Sequence, residues 1–282
     1  MQQISLPARA KINLAIDVLG VRDDGYHEVA MVMQTLALSD RLRVSGQKEL
    51  VIESNSKEIP LDESNLVYRA AKLLQEVSGT MLGAYIFIEK NIPVAAGLAG
   101  GSTDAAAALI ALNQIWQLHY PISYLAALGG KLGSDIPFCL VGGTCLAQGR
   151  GENITLLPPL PKLWLVLVNP GFAVPTIQVY KKFDTIKVTK RPDIAKLLAA
   201  MEDNDEINIL ENMVNVLEDS TVSMFPQVKQ VEKELLGFGA LKTLMCGSGP
   251  TVMGIAKNKG HAMTIASRME GRYPFITVTE TI

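Results

Sequence analysis

The residues between positions 93 and 103 have the composition of a phosphate-binding loop. They are followed by an alanine-rich stretch, which is typical of a helix. Glycine lets a backbone approach a ligand closely, and the first N–H groups of a helix have no partner inside it. The segment therefore predicts an anion site at a helix start, with hydroxyl donors added by Ser102 and Thr103. The candidate nucleotide-binding residues are Pro93, Val94, Ala95, Ala96, Gly97, Leu98, Ala99, Gly100, Gly101, Ser102 and Thr103.

Two well-known nucleotide fingerprints do not describe this loop. No Gly-Lys-Ser/Thr follows it, so it is not a Walker A loop. The spacing of Gly97, Gly100 and Gly101 also differs from the dinucleotide pattern. A loop that only turns the chain into a helix stays open as an alternative. We expect Asp104 to interact with the helix dipole rather than to act in catalysis.

A lysine and an aspartate are the candidates for the chemistry next to the bound phosphate. Asp135 lies in Gly-Ser-Asp-Ile-Pro-Phe, where a carboxylate needs a partner or a shifted pKa. The alternative is that Asp135 caps a short helix beginning near Pro137. Lys11 shares strand parity with Asn13, so both side chains leave the same face, although a lone lysine is more often solvated. A cation beside Asp135 would keep its carboxylate ionised and lower the pKa of a substrate hydroxyl.

Composition limits the class of protein. The 282 residues are 48% hydrophobic and 19% charged, with a formal net charge of −2, which is ordinary for a globular protein. No surplus of positive charge is present to neutralise a nucleic-acid backbone. Three widely spaced cysteines do not predict a disulfide framework. No apolar run is long enough for a membrane helix and no signal peptide is evident, so we expect a soluble, cytoplasmic protein.

The secondary-structure pattern predicts an α+β protein with two domains. Strands are expected near 10–19, 84–89 and 163–168, and a helix over 65–77 with Ser64 as its N-cap. Three prolines near position 158 suggest a boundary, which gives domains 1–158 and 159–282. Beyond the boundary we expect three helical stretches, near Pro192–Met201, Glu206–Glu218 and Phe225–Leu236.

Three segments of the chain together resemble the motifs of the GHMP kinase superfamily. The first is Lys11-Ile12-Asn13 with Asp-Gly-Tyr-His-Glu at 24–28, the second is the glycine-rich loop, and the third is the run 246–251 between two strands. The resemblance covers essentially the whole chain, and Gly-Ser-Asp-Ile-Pro-Phe adds to it. One departure is Ala99, where relatives usually have glycine, which reduces the backbone freedom of the loop.

The resemblance implies a fold and an activity. The fold would be an N-terminal domain like domain 2 of ribosomal protein S5, with a left-handed βαβ crossover, and a ferredoxin-like C-terminal domain. The activity would be transfer of phosphate from ATP, with Mg²⁺, to the 2-hydroxyl of a cytidine diphosphate derivative of methylerythritol. Asp135 would be the base, Lys11 its charge partner, and the third motif would steady the phosphate loop. Metal ligands remain unassigned.

The resemblance also implies residues that bind the acceptor substrate. Asn13 would contact the methylerythritol hydroxyls, His27 would recognise the cytosine edge, and Tyr26 and Tyr180 would stack on the base. From the residues alone, packing of Tyr26 and ordinary hydrogen bonding of His27 stay open. Lys90, Gln148 and Arg150 could contact an anion, but we expect them to be solvated. Homoserine or mevalonate as acceptor, a non-catalytic nucleotide-binding module, and a monomer or a homodimer remain alternatives.

Overall fold

A computed structural model describes residues 3–282, which form two β-sheets and the helices packed on them. The first half contains β1 (Gln3–Val21), β2 (His27–Gln47), β3 (Leu50–Ser54), α1 (Leu66–Ser78), β4 (Gly83–Glu89), α2 (Gly100–Ile115), α3 (Ile122–Gly129), α4 (Ile136–Val141), β5 (Thr144–Gly149) and β6 (Asn153–Leu156). The second half contains β7 (Trp164–Asn169), α5 (Thr176–Phe183), α6 (Ile194–Glu202), α7 (Glu206–Asn212), β8 (Val214–Asn215), α8 (Glu218–Met224), α9 (Gln227–Gly237), β9 (Lys242–Met245), β10 (Val252–Ala256), α10 (Lys259–Met269) and β11 (Phe275–Glu280).

The first sheet is built on the long antiparallel pair β1–β2. Its strand order is β3-β4-β2-β1-β8, and β5 pairs with the other end of β2 and carries β6. The pairing of β1 with β2 shifts register between Arg9 and Lys11 and again between Asn13 and Ala15. Between these irregularities Lys11 and Asn13 keep strand alternation, so their side chains leave the same face, as predicted.

Helix α1 connects the parallel strands β3 and β4, which makes a βαβ unit. The side chain of Asn65 accepts a hydrogen bond from the amide of Val67, so Asn65 is the N-cap. The prediction of Ser64 as the cap was therefore wrong by one residue, because the Ser64 hydroxyl donates to Asp62 instead. Gly79 ends the helix in the left-handed conformation, at φ 69°.

The second sheet has the ferredoxin-like order. Its strands run β11-β7-β10-β9 and all neighbours are antiparallel. Along the chain, helices precede β9, the pair β9–β10 follows, and α10 leads into β11. This confirms the expected α+β class and the ferredoxin-like second half.

The expected helix over Glu206–Glu218 is interrupted in the structure. Helix α7 ends at Asn212, and the next residues form β8, which pairs in parallel with Ala15 and Ile16 of β1. The prediction of one continuous helix was therefore wrong, because pairing with a distant strand overrides local helical pattern. Strand β8 thus adds a segment from the second half to the first sheet.

The two halves share hydrophobic cores. One core cluster contains Ile12 and Leu36 from the first sheet together with Leu165, Leu244 and Met253 from the second. The predicted boundary at position 158 lies between β6 and β7 and stays a prediction. Within residues 3–282, no helix combines the length and the apolar character that a bilayer crossing needs.

Candidate active site

The glycine-rich loop enters α2 through alternating left-handed residues. Ala95, Gly97 and Ala99 have φ values of 52°, 79° and 60°. Helix α2 begins at Gly100, and the amide of Thr103 donates to the carbonyl of Ala99. The first amides of this 16-residue helix thus start directly after the loop, where they can donate to an anion.

The third motif lies directly against the phosphate loop. A Cβ added to Gly97 would overlap the carbonyl oxygen of Cys246, so only glycine permits this approach. A Cβ added to Gly247 would in turn stand 3.1 Å from the carbonyl oxygen of Gly97. The thiol of Cys246 is buried, and burial raises its pKa to about 12. The two loops, separated widely in sequence, therefore form one close-packed unit.

Lys11 and Asp135 meet beside this unit. The Lys11 ammonium is 3.6 Å from Asp135 Oδ2 and donates to Asn13 Oδ1 at 2.9 Å. Its backbone amide donates to the carbonyl of Leu98, which ties β1 to the phosphate loop. Lys11 is 4% exposed, so the alternative of a solvated lysine was wrong. The Asp135 side chain is 31% exposed, which leaves its carboxylate accessible from solvent.

Asp135 does not act as a helix cap. It occupies the position before α4, but its side chain makes no capping hydrogen bond. The negative charge of Asp135 also affects its neighbours. The pKa of Tyr180 is raised to about 12, mainly because Tyr180 is buried and then because of the Asp135 charge. The same two causes raise the pKa of the Cys139 thiol, so both groups stay neutral beside the carboxylate.

The residues expected to bind the base lie in two separate contacts. The rings of His27 and Tyr180 pack with their centroids 4.8 Å apart and their planes tilted by 38°, and His27 Nε2 is 2.8 Å from Asp184 Oδ1. Tyr26 is 55% exposed, and the Arg150 guanidinium lies 5.1 Å from its ring centroid. Arg150 therefore contacts an exposed aromatic ring, and its own side chain stays 29% exposed, which agrees with the expectation of a solvated side chain.

Lys90 and Asp104 form a buried charge cluster behind the phosphate loop. Lys90 Nζ is 2.8 Å from Asp104 Oδ2 and also contacts Asp40, whose other oxygen accepts the amide of Ile92 at 2.8 Å. The expectation that Lys90 is solvated was wrong, and so was the expectation that Asp104 serves only the helix dipole. The sequence does contain a signal for this burial: Asp104 is followed directly by a run of alanines, and a carboxylate in such an apolar stretch needs a buried partner.

The surroundings of the loop offer few ligands for a divalent cation. Among residues 3–282, no three His, Cys, Asp or Glu side chains are grouped to hold a metal ion. The Asp104 carboxylate is committed to Lys90, and of the two hydroxyl groups at the start of α2 that of Ser102 is half-buried whereas that of Thr103 is buried. Such a set fits an ion that is bound mainly by the phosphates of a nucleotide and by water.

Two family models match the chain. The model of the GHMP kinases N terminal domain matches residues 65–143, and the model of the GHMP kinases C terminal domain matches residues 187–274. The first match includes α2 and the phosphate loop, and the second includes the third motif.

Proteins of known name are similar over the whole length. The 4-diphosphocytidyl-2-C-methyl-D-erythritol kinase of Moorella thermoacetica is 45% identical over 286 residues, covering 100% of both chains. The protein of the same name from Pelotomaculum thermopropionicum is 47% identical, covering 99% of this chain and 98% of its own. A crystal structure of 4-(cytidine 5'-diphospho)-2C-methyl-D-erythritol kinase superposes with a TM-score of 0.83 at 32% identity, covering 99% of each chain. The chain therefore belongs to the GHMP kinase family, with its two-domain fold, and within it to the 4-diphosphocytidyl-2-C-methyl-D-erythritol kinases.

Proposed function

We propose that this chain transfers the γ-phosphoryl group of ATP to the 2-hydroxyl of 4-diphosphocytidyl-2-C-methyl-D-erythritol, a step of the non-mevalonate isoprenoid pathway. The observation that supports it best is the pair Lys11–Asp135, 3.6 Å apart, beside a glycine-rich loop that opens a long helix. The names of the relatives identify the acceptor alcohol.

In the proposed reaction Asp135 is the base. Its carboxylate takes the proton of the 2-hydroxyl as the hydroxyl oxygen bonds to the γ-phosphorus and the bond to the bridging oxygen of ADP breaks. Lys11 holds Asp135 ionised and offsets negative charge that develops on the transferred group. Its burial strengthens both effects, because fewer water molecules screen the ammonium.

The phosphate loop is the proposed ATP site. Residues 93–103 place the amides at the start of α2 toward the phosphates, and the left-handed Gly97 lets the backbone approach them. Mg²⁺ would be held by the nucleotide phosphates and by the Ser102 hydroxyl, and would neutralise phosphate charge when bound. No carboxylate of the chain is assigned to the ion.

The acceptor would lie between Asp135 and the aromatic pair His27–Tyr180. The aromatic pair and the 31% exposed Asp135 carboxylate would bind opposite ends of the acceptor, with the cytosine on Tyr180 and the alcohol at the base. We assign Tyr26 and Tyr180 to stacking on cytosine and His27 to its edge. Asn13 Nδ2 donates to the sulfur of Met31, a weak acceptor, and would donate to a substrate hydroxyl instead.

We further propose a cytoplasmic enzyme that acts as a monomer or a homodimer and whose partners are small molecules rather than nucleic acid or membrane. The formal net charge of −2 supports one part of this, because it leaves no surplus of positive charge for a nucleic-acid backbone. We also propose that the domains divide at residue 158.

A phosphorylation assay tests the function and the base together. The purified chain is given ATP and Mg²⁺ with the cytidine diphosphate substrate, with homoserine, or with mevalonate, and the product is located by ³¹P NMR. We expect turnover only with the cytidine compound. The variant Asp135→Asn should lower kcat by about 10²–10⁴-fold without loss of ATP binding, because it removes the proton acceptor and keeps the shape.

The control for this variant is Asp203→Asn, which changes an exposed carboxylate at the end of α6. It should retain the activity of the unchanged protein. Equal turnover by Asp135→Asn and Asp203→Asn would remove Asp135 from the mechanism. Faster phosphorylation of homoserine or mevalonate would refute the proposed acceptor.

A further inference from the structure

Side chains from one short segment hold the backbone of the third motif. Asn215 Nδ2 donates to the carbonyl oxygens of Met245 and Gly247, at 2.9 and 2.8 Å. Thr221 Oγ1 donates to the carbonyl oxygen of Ser248 at 3.1 Å. Glu218 Oε2 accepts the amide of Met245 at 3.0 Å. We call Asn215, Glu218 and Thr221 the motif brace.

These bonds replace a secondary structure that the motif lacks. Residues 246–251 form a turn between β9 and β10, in which the amide of Cys246 donates to the carbonyl of Thr251, whereas side chains of the brace donate to the carbonyls of Gly247 and Ser248. Asn215 and Thr221 are buried, and each buried carbonyl that loses its donor costs about 1–3 kcal/mol. The orientation of the Asn215 amide is fixed, because its Oδ1 accepts the amide of Leu217 at 3.0 Å. The brace thus sets the path of the turn.

The brace is itself anchored to the strand that carries Lys11. Asn215 lies in β8, where it is paired with Ile16 of β1, and the amide of Val216 donates to the carbonyl of Ile16. The methyl group of Thr221 also packs near Gly249, since a Cβ added to Gly249 would stand 3.3 Å from it. One rigid connection therefore runs from β1 through the brace to the third motif, and from there to the phosphate loop at Gly97.

We propose that Asn215, Glu218 and Thr221 are positioning residues for ATP, which act by holding the third motif against the phosphate loop. The inference rests on the proposed function, because it takes residues 93–103 as the ATP site. None of the three brace residues is among those assigned to ATP or to the acceptor alcohol. Loss of a brace bond lets the turn at Gly247 shift, and the carbonyl of Cys246 then no longer fixes Gly97. The cost should therefore appear in ATP binding rather than in binding of the acceptor alcohol.

The test is a matched series at Thr221. Thr221→Val removes the hydroxyl and keeps the shape, whereas Thr221→Ser keeps the hydroxyl and removes the methyl group. We measure the Kd of a non-hydrolysable ATP analogue by calorimetry, and KM for each substrate. Thr221→Val should raise the Kd and the KM for ATP about fivefold, the equivalent of one hydrogen bond, with the KM for the acceptor unchanged. Thr221→Ser should stay within twofold of the unchanged protein.

A second variant and a stability control separate positioning from general weakening. Asn215→Asp is isosteric but loses both donors to Met245 and Gly247, so the Kd for the ATP analogue should rise at least about tenfold. Thr281→Val is the control, because the buried Thr281 Oγ1 accepts the amide of Leu163, remote in the chain from both loops. It should lower Tm as Thr221→Val does and leave the Kd unchanged.

The outcomes are distinct. If Thr221→Val lowers Tm but binds the analogue as tightly as the unchanged protein does, the brace is only structural and the inference is wrong, while the proposed function stands. The inference is also wrong if Thr281→Val weakens ATP binding to the same extent. If the unchanged protein binds no ATP analogue, the proposed function fails and the inference fails with it. Should Asn215→Asp not fold, the Thr221 pair alone decides.

Discussion

Among single side chains, the buried cluster of Lys90 with two carboxylates has the clearest pH dependence. Asp40 and Asp104 both contact one ammonium, so the cluster has one negative charge more than it can pair. Asp104 Oδ1 is buried without a hydrogen-bond partner. Burial, and then the charge of Asp40, raises the pKa of Asp104 to about 7 against the opposing effect of Lys90. Asp104 therefore holds a proton that an unfolded chain would release.

This raised pKa predicts that the free energy of unfolding falls as pH rises. The unfolded aspartate titrates near pH 4 and the folded one near 7, so the folded state binds more protons in this window. Asp104→Asn should reduce the slope of stability against pH by up to about 1.4 kcal/mol per pH unit between pH 4 and 7. It should also stabilise the protein at pH 8. Denaturant unfolding at each pH measures both.

The control for Asp104→Asn is Asp203→Asn, which changes an exposed aspartate. Its free energy of unfolding should depend on pH as steeply as that of the unchanged protein. Some slope will remain in both, since burial and the neighbouring Glu232 also raise the pKa of Glu218 to about 7. An unaltered slope in Asp104→Asn would mean that Asp104 is ionised throughout the window.

Whether the sequence could reveal a pair of interacting site residues depended on how far apart the two residues are in the chain. Lys11 and Asn13 are two positions apart on one strand, so strand parity was enough to place them together. Lys90 and Asp40 are 50 positions apart and meet only when β2 and the segment after β4 fold together. Local pattern carries no signal for such a pair, and Lys90 was consequently predicted to be solvated.

At the scale of elements, the phosphate loop contains an unusual amount of left-handed backbone in non-glycine residues. Ala95 and Ala99 both have φ near 55°, a conformation that costs an L-residue about 1–2 kcal/mol. The family resemblance predicts glycine at position 99, so the sequence indicated a departure at Ala99 without showing its backbone angle. The loop therefore keeps its shape because its surroundings enforce it.

Glycine at Ala99 should relieve this strain. Ala99→Gly removes the steric cost but adds flexibility to the unfolded chain, for a net stabilisation of about 0.5–1 kcal/mol and a Tm higher by about 1–3 °C. Ala95→Gly should behave alike. Ala96→Gly is the matched control, because Ala96 lies outside the left-handed region and its methyl group is buried. It should lower Tm in calorimetry. Destabilisation by all three would show that Ala99 is not strained.

Elements with a strong local signal could be predicted, and those made by distant pairing could not. Helix α1 was placed within one residue because its cap and its glycine stop lie in its own sequence. Strand β8 has only two residues and exists because β1 offers a free edge. This strand was therefore predicted to be part of a helix. For the same reason, the contacts that the residues after it make with the third motif were not predicted.

At the scale of the whole molecule, segments of the second half of the chain complete the sheet and the hydrophobic cores of the first half. Strand β8 extends the first sheet, and Leu36 bridges to Thr281 near the other end of the chain. Gln34 Nε2 donates to the carbonyl of Ile282 at 2.8 Å, and the cores are shared. Each half therefore covers part of the apolar surface of the other.

This sharing predicts one cooperative unfolding event. Calorimetry of the full chain should show a single transition, although two family models match two separate regions. The pieces 1–158 and 159–282, each expressed alone, should lack the sharp amide proton spectrum of a folded protein. Two resolved transitions, or an independently folded piece, would mean that the shared cores contribute little to stability.

Because Cys246 packs against the phosphate loop, the rate at which its thiol is alkylated should report how often the nucleotide site opens. The Cys246 thiol is buried and neutral at physiological pH, and the carbonyl oxygen of the same residue packs against Gly97 of the phosphate loop. The thiol should therefore react with an alkylating reagent only when the loops separate. Mass spectrometry can follow this residue apart from the other two cysteines. Bound ATP should slow its modification, since the nucleotide favours the closed arrangement, and the ratio of the two rates would give the free energy that ATP adds to loop closure.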